Sequence, residues 1–272
     1  MTASILQSGR AAARGVAPDD STHFFHSTNV MNPPFSILYE DPHCVVVSKP
    51  NGVLTQFADN RPGEISLEDQ IRSYLHKSTN DEQAYLGTVH RLDKPVSGVI
   101  VWAKTPRAAR RLAKDFEGRR VVKTYWAIVE GSPNEPSGEW IDWLGPDPAV
   151  PSRMIVGDER PGAKRAVTRF EIGGRSRSED ERGCDPNPAY TLLFLHPETG
   201  RSHQLRAQTS ARGIPIVGDI HYGSTADNLM GIALHARSLT IRHPQTYEWM
   251  TFQADVPAWW RESGYLVRSI DS

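Results

Sequence analysis

The side chain best suited to chemistry in this sequence is the carboxylate of Asp93, within residues 87–104 (GTVHRLDKPVSGVIVWAK). Lys94-Pro95 interrupts regular structure after it, and Ser97-Gly98 begins the next strand-like run. We therefore expect Asp93 on a loop between two strands, where a carboxylate is held firmly and faces a cleft. Such a group can act as a nucleophile or as a general base. The alternative is a turn residue that bonds nearby backbone, and the local pattern leaves both interpretations open.

A strongly basic segment follows this loop. The net charge of the whole chain is −1, but residues 104–123 hold eight Lys or Arg against only Asp115 and Glu117, while residues 178–185 (SEDERGCD) are mainly acidic. A local cationic surface can bind phosphates whatever the total charge is. The residues that would contact phosphates are Arg107, Arg110, Arg111 and Lys114. An equally good interpretation is that they form the solvated face of a helix.

Composition excludes several classes of protein. The chain has 272 residues, 38% hydrophobic and 23% charged, which is ordinary for a globular protein. No apolar run approaches the roughly 20 residues that a membrane-spanning helix needs. Cys44 and Cys184 lie far apart, and the histidines form no HExxH pair, so we expect no metal and no zinc hydrolase. With no secretory signal, we expect a reduced cytoplasmic compartment.

The elements that must position Asp93 are mostly strands. Short, β-branched or apolar runs bounded by turn residues predict them. They fall at Ile37–Tyr39, Cys44–Ser48, Val99–Ala103, Thr124–Val129, Trp140–Leu144, Ala166–Ile172, Tyr190–Leu195, Ala233–Ile241 and Trp249–Ala254. Many strands with few helices indicate an α+β fold on a largely antiparallel, mixed sheet with flanking helices and loops.

Three helices are expected. Ser66 and Asp69 form a capping box that begins the first, and the second has Thr105 as its cap, Pro106 at its first position and Gly118 just past its end. The third is Arg201–Arg212. We expect residues 173–188 to form an exposed loop.

The domain prediction is simple. Residues 1–35 lack sustained apolar periodicity and are expected to be a flexible extension, and Met31 is an alternative start. Residues 36–272 are expected to form one catalytic domain.

Several motifs, in order along the chain, resemble those of the RluA-type RNA pseudouridine synthases. His90-Arg91-Leu92-Asp93 with Ser97-Gly98 resembles the catalytic motif of that family. The other matching segments are Ile37–Asp41 with Val47–Gly52, Val122–Ala127, Thr199–Arg206, Gly213 and Pro215 with Gly218-Asp219 and Tyr222, Leu234-His235-Ala236, and His243-Pro244. The resemblance covers about residues 36–257 and is specific because the segments keep their order.

The resemblance implies that the protein converts uridine within ribosomal or transfer RNA to pseudouridine, without a cofactor. Asp93 would be the catalytic carboxylate. Arg206 would pair with it, because a carboxylate in a closed pocket needs a nearby cation to stay ionised. Tyr125 would stack on the extruded base and assist proton removal, and Lys123 would point into the same cleft from two residues away.

Further residues are implied to contact RNA. Arg91 would fill the space left by the extruded base, because its planar guanidinium can stack there. Leu205 would form an apolar wall against the uracil. His90 is ambiguous, since a buried hydrogen-bonding histidine is as good an interpretation as an RNA contact. Other implied substrate contacts are Arg201, His203 and Gln204. A monomer is the default expectation.

Two departures and two alternatives remain. Val96 stands where the family usually has threonine, and no N-terminal RNA-binding module is recognisable. A glycoside hydrolase would need a second carboxyl at a set distance, whereas Asp93 is surrounded by basic and tyrosine candidates. The other alternative is an RNA-binding or RNA-folding factor in which turnover is secondary.

Overall fold

The computed structural model describes residues 35–56, 63–79, 84–175, 190–226 and 231–262. Residues 1–34 of the predicted extension (1–35), with Met31, and residues 176–188 of the predicted loop lie outside the described residues, as does Cys184. Phe35, the last residue of the predicted extension, is buried and packs in the main core. The part of the predicted loop that is described, residues 173–175, continues a strand.

Strands dominate the described chain, as predicted. They are β1 Ser36–Glu40, β2 Cys44–Lys49, β3 Gly87–Thr88, β4 Ser97–Ala103, β5 Val122–Glu130, β6 Ser137–Pro146, β7 Met154–Gly157, β8 Lys164–Arg175, β9 Tyr190–Pro197, β10 Leu234–Arg242 and β11 Trp249–Gln253. The helices are α1 Leu67–Thr79, α2 Pro106–Glu117, α3 Gln204–Ala211 and α4 Trp259–Glu262, with a 3-10 turn at Ile220–Tyr222. The α+β prediction is confirmed. No helix within these ranges is long and apolar enough to cross a membrane.

All the described strands join one mixed sheet. Its order is β1-β2-β4-β10-β5-β9-β8-β6-β7, with β11 added to β10 and β3 added to β4. Every pairing is antiparallel except that of β4 with β10, which is parallel and joins Ser97 to His235 and Gly98 to Ala236. Because β10 lies between β4 and β5, this short parallel contact links the two halves of the sheet.

Helices cover both faces of the β2–β4 region. Val45 and Val47 pack in a core with Leu67, Ile71 and Leu75 of α1, whereas Val46, Val99 and Val101 pack with Ala108 and Leu112 of α2. The alternation of side chains along β2 therefore decides which helix each one contacts.

Local chemistry explains where the first two helices begin. The Asp69 amide donates to Ser66 Oγ at 3.2 Å and the Asp69 carboxylate accepts from the Ser66 amide at 3.0 Å, so the capping box is confirmed. The Ala108 amide donates to Thr105 Oγ1 at 3.1 Å, and Gly118 follows the end of α2. The third helix prediction was wrong at its start, because α3 begins only at Gln204. His203 has a left-handed φ of 53° and cannot continue a helix backwards.

Gly98 permits the parallel contact between β4 and β10. Its φ is +117°, and a Cβ at this position would lie 2.3 Å from the carbonyl oxygen of Ala236. Next to it, Ser97 Oγ is 2.8 Å from His235 Nδ1, and His235 Nε2 is 3.1 Å from the carbonyl oxygen of Ala254. The pair Ser97-Gly98 is thus a structural joint between the halves of the sheet.

Replacing Gly98 with alanine tests this joint. We expect Gly98→Ala to lower the free energy of unfolding by about 3 kcal/mol or more, because a clash adds to backbone strain. Urea denaturation followed by circular dichroism measures it. Gly157→Ala is the matched control, since a Cβ there meets nothing within 4 Å, and a change within about 0.5 kcal/mol is expected. Equal effects of the two substitutions would contradict the role of Gly98.

Candidate active site

A cleft of about 870 Å³ brings most of the sequence-predicted site together. The loop between β3 and β4, the start of β5 and the segment leading into α3 line it. Ten predicted residues are part of the lining: His90, Arg91, Asp93, Lys123, Tyr125, Arg201, His203, Gln204, Leu205 and Arg206. The basic residues of α2, Arg107, Arg110, Arg111 and Lys114, lie outside the lining.

A buried lysine holds the Asp93 loop in place. Lys49, the last residue of β2, donates from Nζ to the carbonyl oxygens of Val96 at 2.6 Å, Lys94 at 3.0 Å and Pro50 at 3.0 Å. Its side chain is fully buried, and burial lowers the pKa of Lys49 to about 7. Lys49 lies in the motif Val47–Gly52, but the sequence predicted no role for it.

The rest of the loop is bonded from the same segment. Asn51 Nδ2 donates to the Pro95 carbonyl at 2.7 Å, and Thr55 Oγ1 donates to the Leu92 carbonyl at 2.7 Å. The Val96 amide closes the turn by donating to the carbonyl of Asp93 at 3.0 Å. The backbone around Asp93 is therefore fixed before any ligand binds.

Arg206 connects the loop to α3 through two carboxylates. Its Nε and Nη2 donate to Asp219 at 2.7 and 2.9 Å, and its Nη1 donates to Asp93 Oδ2 at 3.2 Å. The Asp219 pair is buried and bidentate, which fixes the plane of the guanidinium. Burial alone would lower the pKa of Arg206, but the bonds and charges of Asp219 and Asp93 outweigh it and raise that pKa.

The two carboxylates differ in access. The Asp219 side chain is 1% exposed, whereas that of Asp93 is 30% exposed and faces the cleft. Asp219 thus holds Arg206, and Asp93 is the carboxylate that a ligand can reach. Sequence reasoning missed the task of Asp219, because nothing in the spacing of residues 206 and 219 indicates a pair.

His203 lies on the other side of Asp93. Its Nε2 is 3.7 Å from Asp93 Oδ2, and its Nδ1 is 2.9 Å from the hydroxyl of Tyr222. The Tyr222 oxygen accepts from the Met154 amide at 3.0 Å, and the direction of its bond with His203 Nδ1 depends on the imidazole tautomer. Burial lowers the pKa of His203, although the charge of Asp93 acts in the opposite direction. The lowered pKa favours the neutral ring near pH 7.

Tyr125 and Lys123 line the cleft from one face of β5. Burial, with a smaller contribution from Asp93, raises the pKa of the Tyr125 hydroxyl, so it remains protonated at neutral pH. Burial, with a contribution from Arg119, lowers the pKa of Lys123 to about 8. Lys123 Nζ is 3.4 Å from the Thr199 carbonyl. Leu205 packs in the main core and also lines the cleft, as an apolar wall requires.

Gln204 and His90 have most of their polar atoms bonded within the protein. Gln204 accepts from Thr199 Oγ1 and the Arg201 amide, and donates to the Val167 carbonyl and Thr168 Oγ1, at 2.7 to 3.0 Å. His90 stacks on Phe116 with ring centroids 4.5 Å apart, and its Nε2 accepts from the Val101 amide at 3.1 Å.

Burial, with a contribution from Lys123, lowers the pKa of His90 to about 3, so it carries no charge for a phosphate. For His90 the geometry favours the structural alternative that the sequence left open.

Cys44 lies beside two other residues that could bind a metal ion. Its Sγ lies within 4.8 Å of ligand atoms of Asp41 and His243. His243 Nε2 is 2.9 Å from Asp41 Oδ2, and the amides of His43 and Cys44 donate to Asp41 Oδ1. Burial raises the pKa of the Cys44 thiol to about 12. These groups already bond one another, so they hold the β1–β2 turn against the end of β10.

The different roles of Asp219, which holds Arg206, and Asp93, which a ligand can reach, can be tested by measuring the stability of variants. We expect Asp219→Asn to lower the free energy of unfolding by about 3 kcal/mol, because it leaves a buried guanidinium poorly paired. Asp93→Asn is the control and should cost less than about 1 kcal/mol, since Asp93 is partly exposed and makes one longer bond to Arg206. Urea denaturation of both variants measures this. A larger loss for Asp93→Asn than for Asp219→Asn would refute these roles.

Comparison with known proteins identifies the family. The family described as RNA pseudouridylate synthase matches residues 43–211. The dual-specificity RNA pseudouridine synthase RluA of Haemophilus influenzae is 36% identical over 231 residues, covering 82% of this chain and 94% of that protein. The uncharacterized RNA pseudouridine synthase YhcT of Bacillus subtilis is 34% identical over 222 residues, covering 82% and 68%.

A solved structure shares the fold. Human RNA pseudouridylate synthase domain containing 4 superposes with a TM-score of 0.67 at 24% identity, covering 84% of this chain and 91% of that one. The cleft, the ordered motifs and the sequence relatives agree, and the chain belongs to the RNA pseudouridylate synthase family.

Proposed function

We propose that Asp93 is the catalytic carboxylate of this RNA pseudouridine synthase, with Arg206 and Tyr125 as its partners in the cleft. The observation that carries the proposal is the contact between Arg206 Nη1 and Asp93 Oδ2 at 3.2 Å, made inside the cleft by the one carboxylate of the pair that is exposed. A cation held by a second, buried carboxylate keeps its position while the substrate changes.

The reaction is an isomerisation. The bond from ribose C1′ to N1 of uracil breaks, the base rotates, and a bond from C1′ to C5 forms. The C5 proton leaves and N1 gains one, so the atoms balance without a redox step, a group donor or a cofactor. Asp93 attacks covalently or removes a ribose proton, and its place in the cleft is compatible with either path.

Three residues handle the base. The Tyr125 ring stacks on the extruded uracil, and its hydroxyl assists removal of the C5 proton. Leu205 forms the apolar wall on the other side. Arg91, which is exposed at the cleft, stacks in the vacancy that the base leaves in the RNA.

The remaining predicted residues have different tasks. Lys123 and Arg201 line the cleft and contact the RNA backbone, and His203 presents its Nε2 atom towards Asp93 and the substrate. Arg107, Arg110 and Lys114 are exposed on α2 and meet phosphates further out. His90 and Gln204 act as positioning residues, because their polar atoms are largely bonded to the protein.

The substrate is a uridine in structured ribosomal or transfer RNA. The dual specificity in the name of the Haemophilus relative supports this breadth. We propose a monomeric enzyme, because all these cleft residues come from one chain. We place it in the cytoplasm, which suits an RNA substrate and the free thiol of Cys44.

Asp93→Asn tests the catalytic assignment. We expect the rate of pseudouridine formation to fall by about three orders of magnitude or more, because the amide can neither attack nor take a proton. A deletion strain complemented with the wild type or the variant supplies the measurement, by mapping pseudouridine in total RNA.

Two further results make that test decisive. The variant should keep wild-type affinity for the RNA that maps as its target, and its stability should change little. Unchanged modification in the variant would remove Asp93 from the mechanism, and a deletion strain that loses no pseudouridine site would contradict the proposed function.

The pKa of Lys123 predicts a pH dependence. Because that pKa is lowered to about 8, Lys123 loses its charge as the pH rises through 8, while ordinary lysines keep theirs. We expect kcat/KM, which reports the free enzyme, to fall to about one tenth of its plateau by pH 9. Lys123→Arg should retain its activity across this range, because arginine stays charged. Parallel profiles for the two proteins would rule out Lys123 as the cause.

A further inference from the structure

Two large aromatic side chains stand exposed outside the cleft. Tyr247 and Trp249, on the hairpin of β10 and β11, are 50% and 57% exposed. Exposed rings of this size, close together, are typical of a binding surface. We call Arg111, Arg242, Tyr247 and Trp249 the hairpin patch.

The arginines of the hairpin patch lie over its aromatic rings. The Arg111 guanidinium lies 4.7 Å from the centroid of the Tyr247 ring, and that of Arg242 lies 5.9 Å from Tyr247 and 6.0 Å from Trp249. Arg242 also donates to Asp115 of α2 at 2.6 and 3.1 Å. The planar groups are therefore fixed before a ligand arrives, which lowers the entropy cost of binding.

The backbone at Tyr247 is strained. Its φ is 65°, a left-handed conformation that a bulky residue rarely adopts and a glycine adopts freely. The turn is held by the Tyr247 amide, which donates to the His243 carbonyl at 2.9 Å. The hydrogen bond of this turn uses only backbone atoms, so Tyr247 can be replaced by glycine without losing it.

The hairpin patch is continuous with the cleft through α2. Arg111 donates to the carbonyl of Pro244 in the hairpin, and Phe116 and Glu117 at the end of the same helix line the cleft. Six helical residues span about 9 Å, which is about three stacked nucleotides. Exposed Arg110 and Lys114 lie on this helix, so a strand leaving the cleft would pass over cations.

The charge around the hairpin patch is mainly positive. Asp115 is buried and bonded to Arg120 and Arg242, which leaves Glu117 and Glu248 as the nearby exposed acids. Aromatic rings beside arginines suit unpaired bases, because every base has a face that stacks and every nucleotide carries a phosphate. An acidic protein segment would also meet the cations but would not use the two ring faces.

We propose that the hairpin patch is a second RNA-binding surface that stacks unpaired nucleotides flanking the target uridine. This inference rests on the proposed function, since it extends the path of the RNA beyond the cleft. Trp249 provides the outer stacking platform, and Tyr247 with Arg111 and Arg242 provides the inner one.

Affinity for a defined single strand tests the proposal. A fluorescein-labelled 20-mer of oligouridylate is titrated with the intact protein and followed by anisotropy. We expect Tyr247→Gly and Trp249→Ala each to weaken binding about tenfold, within the 5- to 150-fold range for the loss of one stacked base. Ile141→Ala, at a residue 52% exposed on β6, is the matched control and should bind as the wild type does.

Salt dependence separates stacking from charge. Trp249→Ala should keep the slope of log affinity against log salt, whereas Arg110→Gln should reduce it by about 0.7, one phosphate contact on a single strand. Thermal melts of every variant verify folding, and a 20-base-pair RNA duplex, whose bases are not free to stack, should bind Trp249→Ala and wild type equally.

The outcome is separable from that of the proposed function. Because Trp249 is proposed to contact the RNA outside the cleft, Trp249→Ala should raise KM for the target RNA, whereas Ile141→Ala should leave both KM and kcat unchanged. Wild-type oligouridylate affinity in both folded aromatic variants would overturn the inference, and so would equal losses on duplex and single strand. If the wild type formed no pseudouridine but Trp249→Ala still lost single-strand affinity, the proposed function would fail and the stacking surface would stand.

Discussion

One guanidinium determines how this site is built. Arg206 spends two of its N–H groups on buried Asp219 and has another for Asp93, so its plane is fixed by a residue that no ligand reaches. A cation fixed in this way cannot follow a moving carboxylate, and the Asp93 loop must therefore be brought to it. Lys49 holds the loop in position by donating to its backbone carbonyls. Gln204 holds the segment that leads into α3 by donating to the Val167 carbonyl. The cleft is assembled around this one contact.

The polar atoms of the cleft fall into two groups. Those of Lys49, Gln204 and Asp219 are buried and bonded within the protein, and those of the partly buried Asn51 are bonded to the Asp93 loop, so they give the site its shape. Those of Arg91, Asp93 and Arg201 retain exposure towards the cleft. Preorganisation of this kind places the entropy cost of ordering in the folding of the protein rather than in the binding of substrate.

The sequence predicted what local rules govern. Ser66 with Asp69, and Thr105 with Gly118, marked helix ends because capping depends on neighbours a few residues away. The four-residue strand β7 and the left-handed backbone conformation of His203 were not predicted, because neither produces a periodic pattern in the sequence. The candidate site residues were predicted through the resemblance to a family. The partners of Asp219 and Cys44 were not predicted, because those contacts join distant segments that spacing does not relate.

The position of β10 has a consequence for synthesis. Ser97 and His235, which join the halves of the sheet, are 138 residues apart, a delay on the order of 10 s during synthesis. During that time the first residues of β4 and one whole side of β5 remain open edges, which can pair with other chains. The nascent protein is thus most exposed to aggregation, and most dependent on chaperones, until β10 is inserted into the middle of the sheet.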